Sequence, residues 1–363
     1  MAGRKKKTAG RMPLWLYVLI VAVIALVTYF RTSGEAEAGD PQPPAVSAAA
    51  QQTPADETLT VRFLDVGQGD SILLACGDET MLIDGGPVEE GQFLVSRLNR
   101  LDVTELTYVV NTHPDEDHCG GLAAVLAKYP AEHVYSSVTE YTTKVFSNVV
   151  KYADEQGHPV EVPQTGDSWT LGSASVQVIG PVQTYSDPNN GSLVLRVDYG
   201  GTSFLFTGDM EQKAETDLMS SGANVQADVL KAGHHGSPTS SSEAFLEAVA
   251  PSIAVISVGE DNDYGHPSAD VLARLEALGA TIYRTDTQGE IIITSDGQTL
   301  TVTTDPTSRE PAAGKDAPFI GNRNSMIVHS ANCAKLPGED NRVYFNTAEE
   351  AEEYGYQKHT CIK

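Results

Sequence analysis

The residues of this chain with the most evident chemistry lie in the segment Asn111-Thr-His-Pro-Asp-Glu-Asp-His-Cys-Gly-Gly121. Two imidazoles and two carboxylates fall close together here: His113, Asp115, Asp117 and His118. Acids packed so closely repel one another and the histidines lose solvation, so the grouping is costly unless a cation lies between them. Histidine nitrogens and aspartate oxygens are good ligands for zinc and manganese. The segment predicts a divalent-metal site; the alternative is a polar loop with solvated charges.

The sequence around this segment predicts the elements that hold it. An apolar run at residues 106–110 is typical of a buried strand, and the Gly-Gly pair leads into a predicted helix at residues 122–128. The four polar residues therefore follow the carboxyl end of a strand. In layered α/β domains, sites are usually built at that end.

Two more predicted strand ends carry residues that bind metals. Asp209 ends the stretch Phe204-Leu-Phe-Thr-Gly-Asp209, where it would bridge two ions or, alternatively, cap the following helix. His234 and His235 follow a strand predicted at residues 228–231. Adjacent histidines point in different directions, so we expect one to bind metal. The other would contact substrate or hydrogen-bond to a ligand.

Several weaker candidates lie in turns. His266 opens a predicted helix, where it would donate a proton to the leaving group or be an ordinary loop residue. The others would bind substrate or orient metal ligands, with turn capping as the alternative: Asp65, Gln68, Asp70, Asn190 and Ser192. Cys119 lies in the central segment next to His118, but no base stands in register to make it a nucleophile.

The order of the predicted elements indicates one α/β or α+β domain. Each half supplies strands and then helices, which favours two sheets face to face with helices outside. Strands are predicted at residues 59–66, among others, and a long helix at 139–155. This domain covers residues 58–304, a linker covers 305–317, and a small module covers 318–363.

The N-terminal region predicts a membrane anchor. Residues 14–30 are apolar and uncharged, which just reaches the about 17–25 residues needed to span a bilayer. The basic residues of 1–13 place the N-terminus in the cytoplasm and the later domains outside the cell. We favour an uncleaved single-pass anchor over a cleaved signal peptide and a secreted form. Residues 31–57 are rich in Ala, Pro, Gln and Glu, a composition that predicts a disordered stalk.

The charge of the chain restricts its partners. The whole chain has a formal net charge of -25, and residues 1–31 contain six basic and no acidic residues, so the rest carries -31. Such a body repels nucleic acid at long range, which counts against tight non-specific DNA binding but not against a phosphodiesterase. Four cysteines are too few for a disulfide scaffold.

Taken in order, these motifs resemble the metallo-β-lactamase superfamily. The superfamily's His-x-His-x-Asp-His loop is matched here by His113-x-Asp115-x-Asp117-His118, with aspartate in place of the second histidine. That change, with Leu64-Asp-Val-Gly-Gln-Gly-Asp-Ser71, Thr207-Gly-Asp209 and His234-His-Gly-Ser237, resembles the extracellular hydrolase domain of ComEC competence proteins. The resemblance covers roughly residues 58–304.

The resemblance implies an αββα four-layer sandwich with two divalent metal ions, zinc or manganese, at one edge. His113 and Asp115 would bind one ion. Asp117, His118 and either His234 or His235 would bind the other, with Asp209 between them. No downstream histidine fills the third position of the first ion, because Asn189-Asn190 stands there.

The module at residues 318–363 resembles the small α+β fold of Ada-type metal-binding modules. Its final residues do not form the family's Cys-x-x-Cys, so a four-cysteine zinc site is impossible. Two alternatives remain: a Cys333–Cys361 disulfide, which the exported location favours, or a metal site that includes His329 and His359.

These features predict a membrane-anchored extracellular phosphodiesterase or nuclease that acts on DNA through a dinuclear metal-bound hydroxide. Asp117, His235 and His266 are the predicted catalytic residues. The alternatives are hydrolysis of cell-wall or teichoic-acid esters, and a tethered binding module without catalysis. A β-lactamase activity is disfavoured by Asp115.

Overall fold

The computed structural model describes residues 57–309, 315 and 317–362. The predicted cytoplasmic segment 1–13, the anchor 14–30 and nearly all of the stalk lie outside these ranges. Within the described ranges, no helix combines the length and apolar character needed to cross a membrane. The anchor therefore stays a prediction from the sequence.

The main domain, residues 57–309, is built from strands and helices that alternate along the chain. Its described strands are β1 (Leu59–Phe63), β2 (Ile72–Cys76), β3 (Glu79–Ile83), β4 (Leu106–Asn111), β5 (Ala131–Ser136), β6 (Ser168–Leu171), β7 (Ala174–Gly180), β8 (Val194–Tyr199), β9 (Thr202–Phe206), β10 (Val229–Lys231), β11 (Ile253–Ile256), β12 (Thr281–Arg284), β13 (Glu290–Ser295) and β14 (Leu300–Asp305). Its described α-helices are α1 (Gly91–Arg100), α2 (Glu116–Cys119), α3 (Leu122–Lys128), α4 (Lys144–Glu155), α5 (Gln212–Ser220), α6 (Glu243–Val249), α7 (Ala269–Ala277) and α8 (Thr285–Gln288).

The strands form two seven-stranded sheets. The first has the order β14-β13-β1-β2-β3-β4-β5 and the second the order β12-β11-β10-β9-β8-β7-β6. Strands β3 to β5 run parallel in the first sheet, and β9 to β12 run parallel in the second. Parallel neighbours end at the same edge of a sheet, so loops that follow them lie side by side.

The two sheets pack face to face over a shared apolar core. Leu59, Val61 and Phe63 of β1 are buried, while the residues between them are partly exposed, as expected for a strand with one face on a core. The Phe63 ring lies 6.2 Å from the ring of Phe206 in the opposite sheet. Both sheets contribute buried residues to one cluster, which makes this interface the centre of the domain.

Helices cover the outer face of each sheet. Leu98, Leu122 and Phe146, from α1, α3 and α4, pack with residues on the outer side of the first sheet. Leu218 and Phe245, from α5 and α6, pack likewise on the second. The result is a mixed α/β fold with the layer order helix, sheet, sheet, helix.

Some predicted boundaries differ from the structure for local reasons. The strand predicted at 59–66 ends at Phe63, because the residues after it turn toward the site. The helix predicted at 139–155 begins at Lys144, where the Thr143 hydroxyl accepts a hydrogen bond from the amide of Phe146. Strand β6 was not predicted; it is an edge strand in which only its last residue, Leu171, is buried, so it lacks an apolar alternation.

The C-terminal module packs a four-stranded sheet against one described α-helix. Its elements are β15 (Phe319–Asn322), β16 (Ile327–Ser330), β17 (Arg342–Phe345), α9 (Ala348–Glu353) and β18 (Gln357–Lys358). Val328, Phe345 and Tyr356 are buried in its small core. Part of the predicted 305–317 linker belongs to the main domain, because β14 reaches Asp305 and Arg309 forms an ion pair with Glu90 at 2.6 Å.

Candidate metal centre

The segment after β4 brings its two histidines into a buried position. His113 and His118 are fully buried, and their ring centroids lie 4.1 Å apart. The short helix α2 begins after Asp115, so that Asp117 and His118 project from one turn. The carboxylates of Asp115 and Asp117 remain partly exposed, which leaves one side of the segment open to solvent.

Four side chains from three loops converge beside this segment. Asp117, His118, Asp209 and His235 each place one ligand atom within 4.8 Å of the others. The His118 Nε2 atom lies 3.2 Å from Asp209 Oδ1, and the His235 Nε2 atom lies 3.2 Å from Asp117 Oδ2. We call these four residues the convergent group.

The unsatisfied atoms of the site fit a bound cation. Among the described residues, His113 Nε2, His118 Nε2 and Asp209 Oδ1 are buried without a hydrogen-bond partner. Leaving buried polar atoms unpaired costs about 1–3 kcal/mol each. Bound divalent ions would satisfy all three, and nitrogen and carboxylate oxygen are donors that zinc and manganese accept.

His113 and Asp115 form a pair next to the convergent group. The His113 Nε2 atom lies 3.7 Å from Asp115 Oδ2, and the Ser192 hydroxyl lies 3.4 Å from His113 Nδ1. Within the described ranges, no third His, Cys, Asp or Glu joins this pair in a convergent set. Asn189 lines the cavity close by, in the place where the resemblance lacked a ligand.

The structure distinguishes the two adjacent histidines. His235 is buried, with Nε2 in the convergent group and Nδ1 2.9 Å from the carbonyl oxygen of Ser257. The His234 side chain is about a quarter exposed, and its Nδ1 atom lies 3.4 Å from Glu211 Oε1. Of the two, His235 is therefore the candidate ligand in the convergent group, whereas His234 faces the mouth of the site.

The sequence comparisons agree with this geometry. A family model described as the metallo-beta-lactamase superfamily matches residues 64–260, which is more than half of the chain. The chain belongs to the metallo-beta-lactamase superfamily. Members of this superfamily are typically metal-dependent hydrolases, which agrees with the convergent group.

Several curated relatives are similar over the same region. "ComE operon protein 3" of Bacillus subtilis (strain 168) is 32% identical over an alignment of 250 positions that covers 64% of this chain and 32% of the relative. "Competence protein ComA" of Neisseria gonorrhoeae is 36% identical over 249 residues, or 68% of this chain and 33% of the relative. The chain therefore spans about a third of the length of these relatives. Among solved structures, the metallo-beta-lactamase fold protein YhfI from Bacillus subtilis matches with a TM-score of 0.43 and 12% identity, over 68% of this chain and all of that one.

The charges in this metallo-beta-lactamase site determine which histidines are protonated. Burial, with the neighbouring His118 charge, lowers the pKa of His113 to about 3, so its imidazole is neutral at physiological pH. Burial alone would also lower the pKa of His235, but Asp209 and Asp70 raise it to about 10. The pKa of His118 is likewise raised well above its ordinary value, against burial, by Asp209 and Asp84. Without a metal, two protons balance the carboxylates.

We therefore expect the affinity for a divalent ion to rise with pH. His118 and His235 stay protonated above neutral pH and must lose those protons to bind an ion. With two protons released, the Kd should fall up to about 100-fold per pH unit between about pH 6 and 8. Calorimetric titration in buffers of different ionisation enthalpy counts the released protons. Release of no protons would contradict the expectation.

Asp84 orients His118, a candidate metal ligand, and the sequence analysis missed this role. Its Oδ2 atom lies 2.8 Å from His118 Nδ1, and its oxygens also accept hydrogen bonds from the amide and hydroxyl of Thr112 at 2.7 Å. An acceptor on Nδ1 directs Nε2 of the ring toward the convergent group. The signal was present in the sequence, because Asp84-Gly-Gly86 follows a buried strand as the other site loops do.

Lys231 is a second residue that the sequence analysis missed. It is fully buried at the end of β10, and its Nζ atom lies 2.5 Å from Asp70 Oδ2. Burial would raise the pKa of Asp70, but Lys231 and then His235 hold it below its usual value. The Asp70 Oδ1 atom lies 3.3 Å from His235 Nδ1, so this ion pair lies directly behind a residue of the convergent group.

Some of the candidate residues predicted in turns lie at the site, and others lie away from it. Ser192 accepts a hydrogen bond from the Asp209 amide at 3.1 Å, and Gln68 and His266 line the cavity. Asp65 is not at the site; it caps the turn at the amide of Gly67 and pairs with Arg309. The Asn190 side chain accepts a hydrogen bond from the amide of Ala214, in the first turn of α5, at 3.2 Å.

The open side of the site is a small polar cavity of about 170 Å³. It is lined by Gln68, Asp115, Asp117, Asn189, Asp209, His234, His235, Tyr264 and His266. Cys119 is buried behind this cavity, and burial raises the pKa of its thiol to about 12. A protonated, buried thiol is not a nucleophile.

A second potential metal site lies in the C-terminal module. His329, Cys333, His359 and Cys361 each place a ligand atom within 4.8 Å of the others. The Cys333 Sγ atom lies 3.4 Å from His329 Nδ1 and 3.7 Å from His359 Nδ1. All four cysteines of the chain lie in the described part and all are free, so the favoured Cys333–Cys361 disulfide is not formed.

Proposed function

We propose that this chain is a membrane-anchored extracellular phosphodiesterase that cleaves DNA, with two divalent ions, zinc or manganese, at the site described above. The observation that carries the proposal is the convergence of Asp117, His118, Asp209 and His235 beside the His113–Asp115 pair. The resemblance to the ComEC hydrolase domain supports DNA as the substrate. The apolar segment at residues 14–30 supports the anchor and the extracellular location.

The residues around the cavity would have different roles in hydrolysis. Bound divalent ions would lower the pKa of a water molecule and neutralise charge on the phosphoryl group. His113 is neutral and presents a lone pair to an ion, and Asp84 fixes the ring of His118. Asp117 and His235 face each other within the convergent group, so they would hold a divalent ion beside the reacting phosphate.

A proton for the leaving oxygen would come from a side chain at the cavity mouth. His235 is enclosed among the ligands, which disfavours it as the donor. His234 is partly exposed, and Glu211 lies beside its Nδ1 atom. His266 lies next to it, with ring centroids 5.7 Å apart. Both remain candidates for general acid.

The surface charge supports a second candidate substrate. The chain beyond residue 31 carries -31, which repels a long polyanion at a distance. A cell-wall or teichoic-acid phosphodiester would reach the same ions. The hydrolysis would follow the same chemistry with either substrate. Comparing the rates on a DNA phosphodiester and on a glycerophosphodiester would therefore distinguish the two candidates.

The first test is the metal content of residues 58–363 together with turnover of bis(p-nitrophenyl) phosphate, with and without manganese. We expect about two ions in the site of the main domain and metal-dependent turnover. A protein that stays metal-free in metal-replete medium would instead be a binding module. Turnover of nitrocefin in place of the phosphodiester would indicate a β-lactamase.

We also propose that the C-terminal group His329, Cys333, His359 and Cys361 binds one structural zinc ion. Two thiolates and two imidazoles form a common structural zinc site. Cys333→Ser should remove about one zinc ion per chain and leave phosphodiester turnover unchanged. Asn332→Ser, at the exposed neighbouring position, is the control. Mass spectrometry that finds Cys333 bonded to Cys361 in the native protein would contradict this site.

A further inference from the structure

An exposed aromatic ring lies at the edge of the metal cavity. Tyr264 is 71% exposed, the largest exposure among the large hydrophobic side chains of the described ranges. It lines the cavity together with Asp117, Asp209 and His234. Exposing an aromatic ring to water gives up the stabilisation that its burial would provide. Its position beside the reaction site therefore suggests a role in binding.

The loop that carries Tyr264 is held in place by polar contacts. The Asn262 side chain donates to the carbonyl oxygens of Gly259 and His266, at 2.9 and 2.7 Å, and accepts from the His266 amide. Gln68 accepts a hydrogen bond from the amide of Gly259, which ties the loop to the turn before Asp70. These contacts hold the loop backbone around Tyr264 in place without a bound substrate.

The ring of Tyr264 is also supported from one side. It stacks on His266, with centroids 5.7 Å apart and ring planes inclined by 23°. His266 in turn adjoins His234, whose Nε2 atom lies 3.6 Å from Asp209 Oδ2. A chain of three rings therefore leads from the convergent group to an exposed aromatic surface.

We infer that Tyr264 is a stacking platform for the nucleobase next to the scissile phosphate. This inference rests on the proposed phosphodiesterase function. Stacking tolerates any base, because every base has a π-face. Stacking also supplies affinity that the net charge does not. The chain beyond residue 31 carries a net charge of -31 and attracts no polyanion, so its affinity for DNA must come from short-range contacts. The flat, supported ring fits a planar base better than a glycerol or sugar group.

The test compares two dinucleotides with a single phosphodiester, one with both bases and one that lacks both bases, cleaved by the full chain with manganese. Tyr264→Ala should lower kcat/KM on the intact dinucleotide about 5- to 100-fold, mainly through KM, and leave the abasic substrate nearly unchanged. Tyr264→Phe keeps the ring and should retain most of the activity. Tyr152→Ala, an aromatic change on α4 outside the metal cavity, should change neither rate.

The outcomes separate this inference from the proposed function. Equal losses on both substrates, or no loss on either, would overturn the platform while leaving the phosphodiesterase intact. A wild-type chain that hydrolyses a glycerophosphodiester but neither dinucleotide would also overturn it. A wild-type chain that hydrolyses no phosphodiester at all would refute the proposed function itself.

Discussion

Asp117→Ala should lower kcat/KM for bis(p-nitrophenyl) phosphate by more than about 100-fold, since changing residues that only orient metal ligands already costs 10- to 100-fold. Asp117 belongs to the convergent group, and its Oδ2 atom lies 3.2 Å from His235 Nε2. Removing it takes away a ligand and also the neighbour that aligns His235. The measurement is steady-state turnover with saturating manganese, together with bound metal.

The control for this variant lies one position earlier in the same loop. Glu116→Ala removes an exposed carboxylate, outside the convergent group, from the first turn of α2. It should keep turnover and metal content close to those of the wild type. Circular dichroism should show the fold of both variants unchanged. Full activity in Asp117→Ala would refute the proposed site.

Lys231→Met should lower the free energy of unfolding of the main domain by about 3–5 kcal/mol, the usual cost of removing one partner from a buried ion pair. Lys231 is fully buried, and Asp70 is nearly so. Methionine fills the space of the lysine stem but leaves the Asp70 carboxylate unpaired. Urea unfolding followed by Trp169 fluorescence measures the change in the main domain.

A double variant tests whether the charge, and not the packing, is responsible. Asp70→Asn removes the orphaned charge, so Lys231→Met with Asp70→Asn should regain much of the lost stability. Asparagine keeps a carbonyl oxygen near His235 Nδ1, which Asp70 approaches at 3.3 Å. A double variant as unstable as the single one would show that Lys231 stabilises the domain by packing alone.

Much of the architecture could be predicted from local patterns. The helix predicted at residues 122–128 is α3 with the same bounds, and the strand before the central segment is β4. These predictions worked because a buried strand and an amphipathic helix each leave a periodic mark of apolar residues in the sequence. The edge strand β6 leaves no such mark, since it is mostly exposed, and it was missed.

The site shows where local patterns stop being informative. Asp84, Asp70 and Asp65 look alike in sequence, since each lies within two positions of a glycine near the end of a predicted strand or in the turn after it. Only Asp84 and Asp70 contact the site histidines, whereas Asp65 pairs with Arg309 from 244 positions away. The partner of each carboxylate comes from a distant part of the chain, which no short-range pattern records.

By itself, the sequence determined which residue types lie at the ends of the predicted strands. It also determined that a bound cation is needed to offset the repulsion and lost solvation of these side chains when they are grouped. Within one sheet the strand order suffices to group them, because parallel strands end at the same edge. The loops after β9 and β10 belong to the other sheet, so they meet the loop after β4 only when the two sheets pack. The tertiary structure alone decided that His235 rather than His234 enters the convergent group, since both have left-handed backbones and only their packing differs. It also decided that Lys231 faces Asp70 and that Cys333 and Cys361 stay unbonded beside two histidines. These outcomes depend on contacts between distant segments, and those exist only once the two sheets have packed.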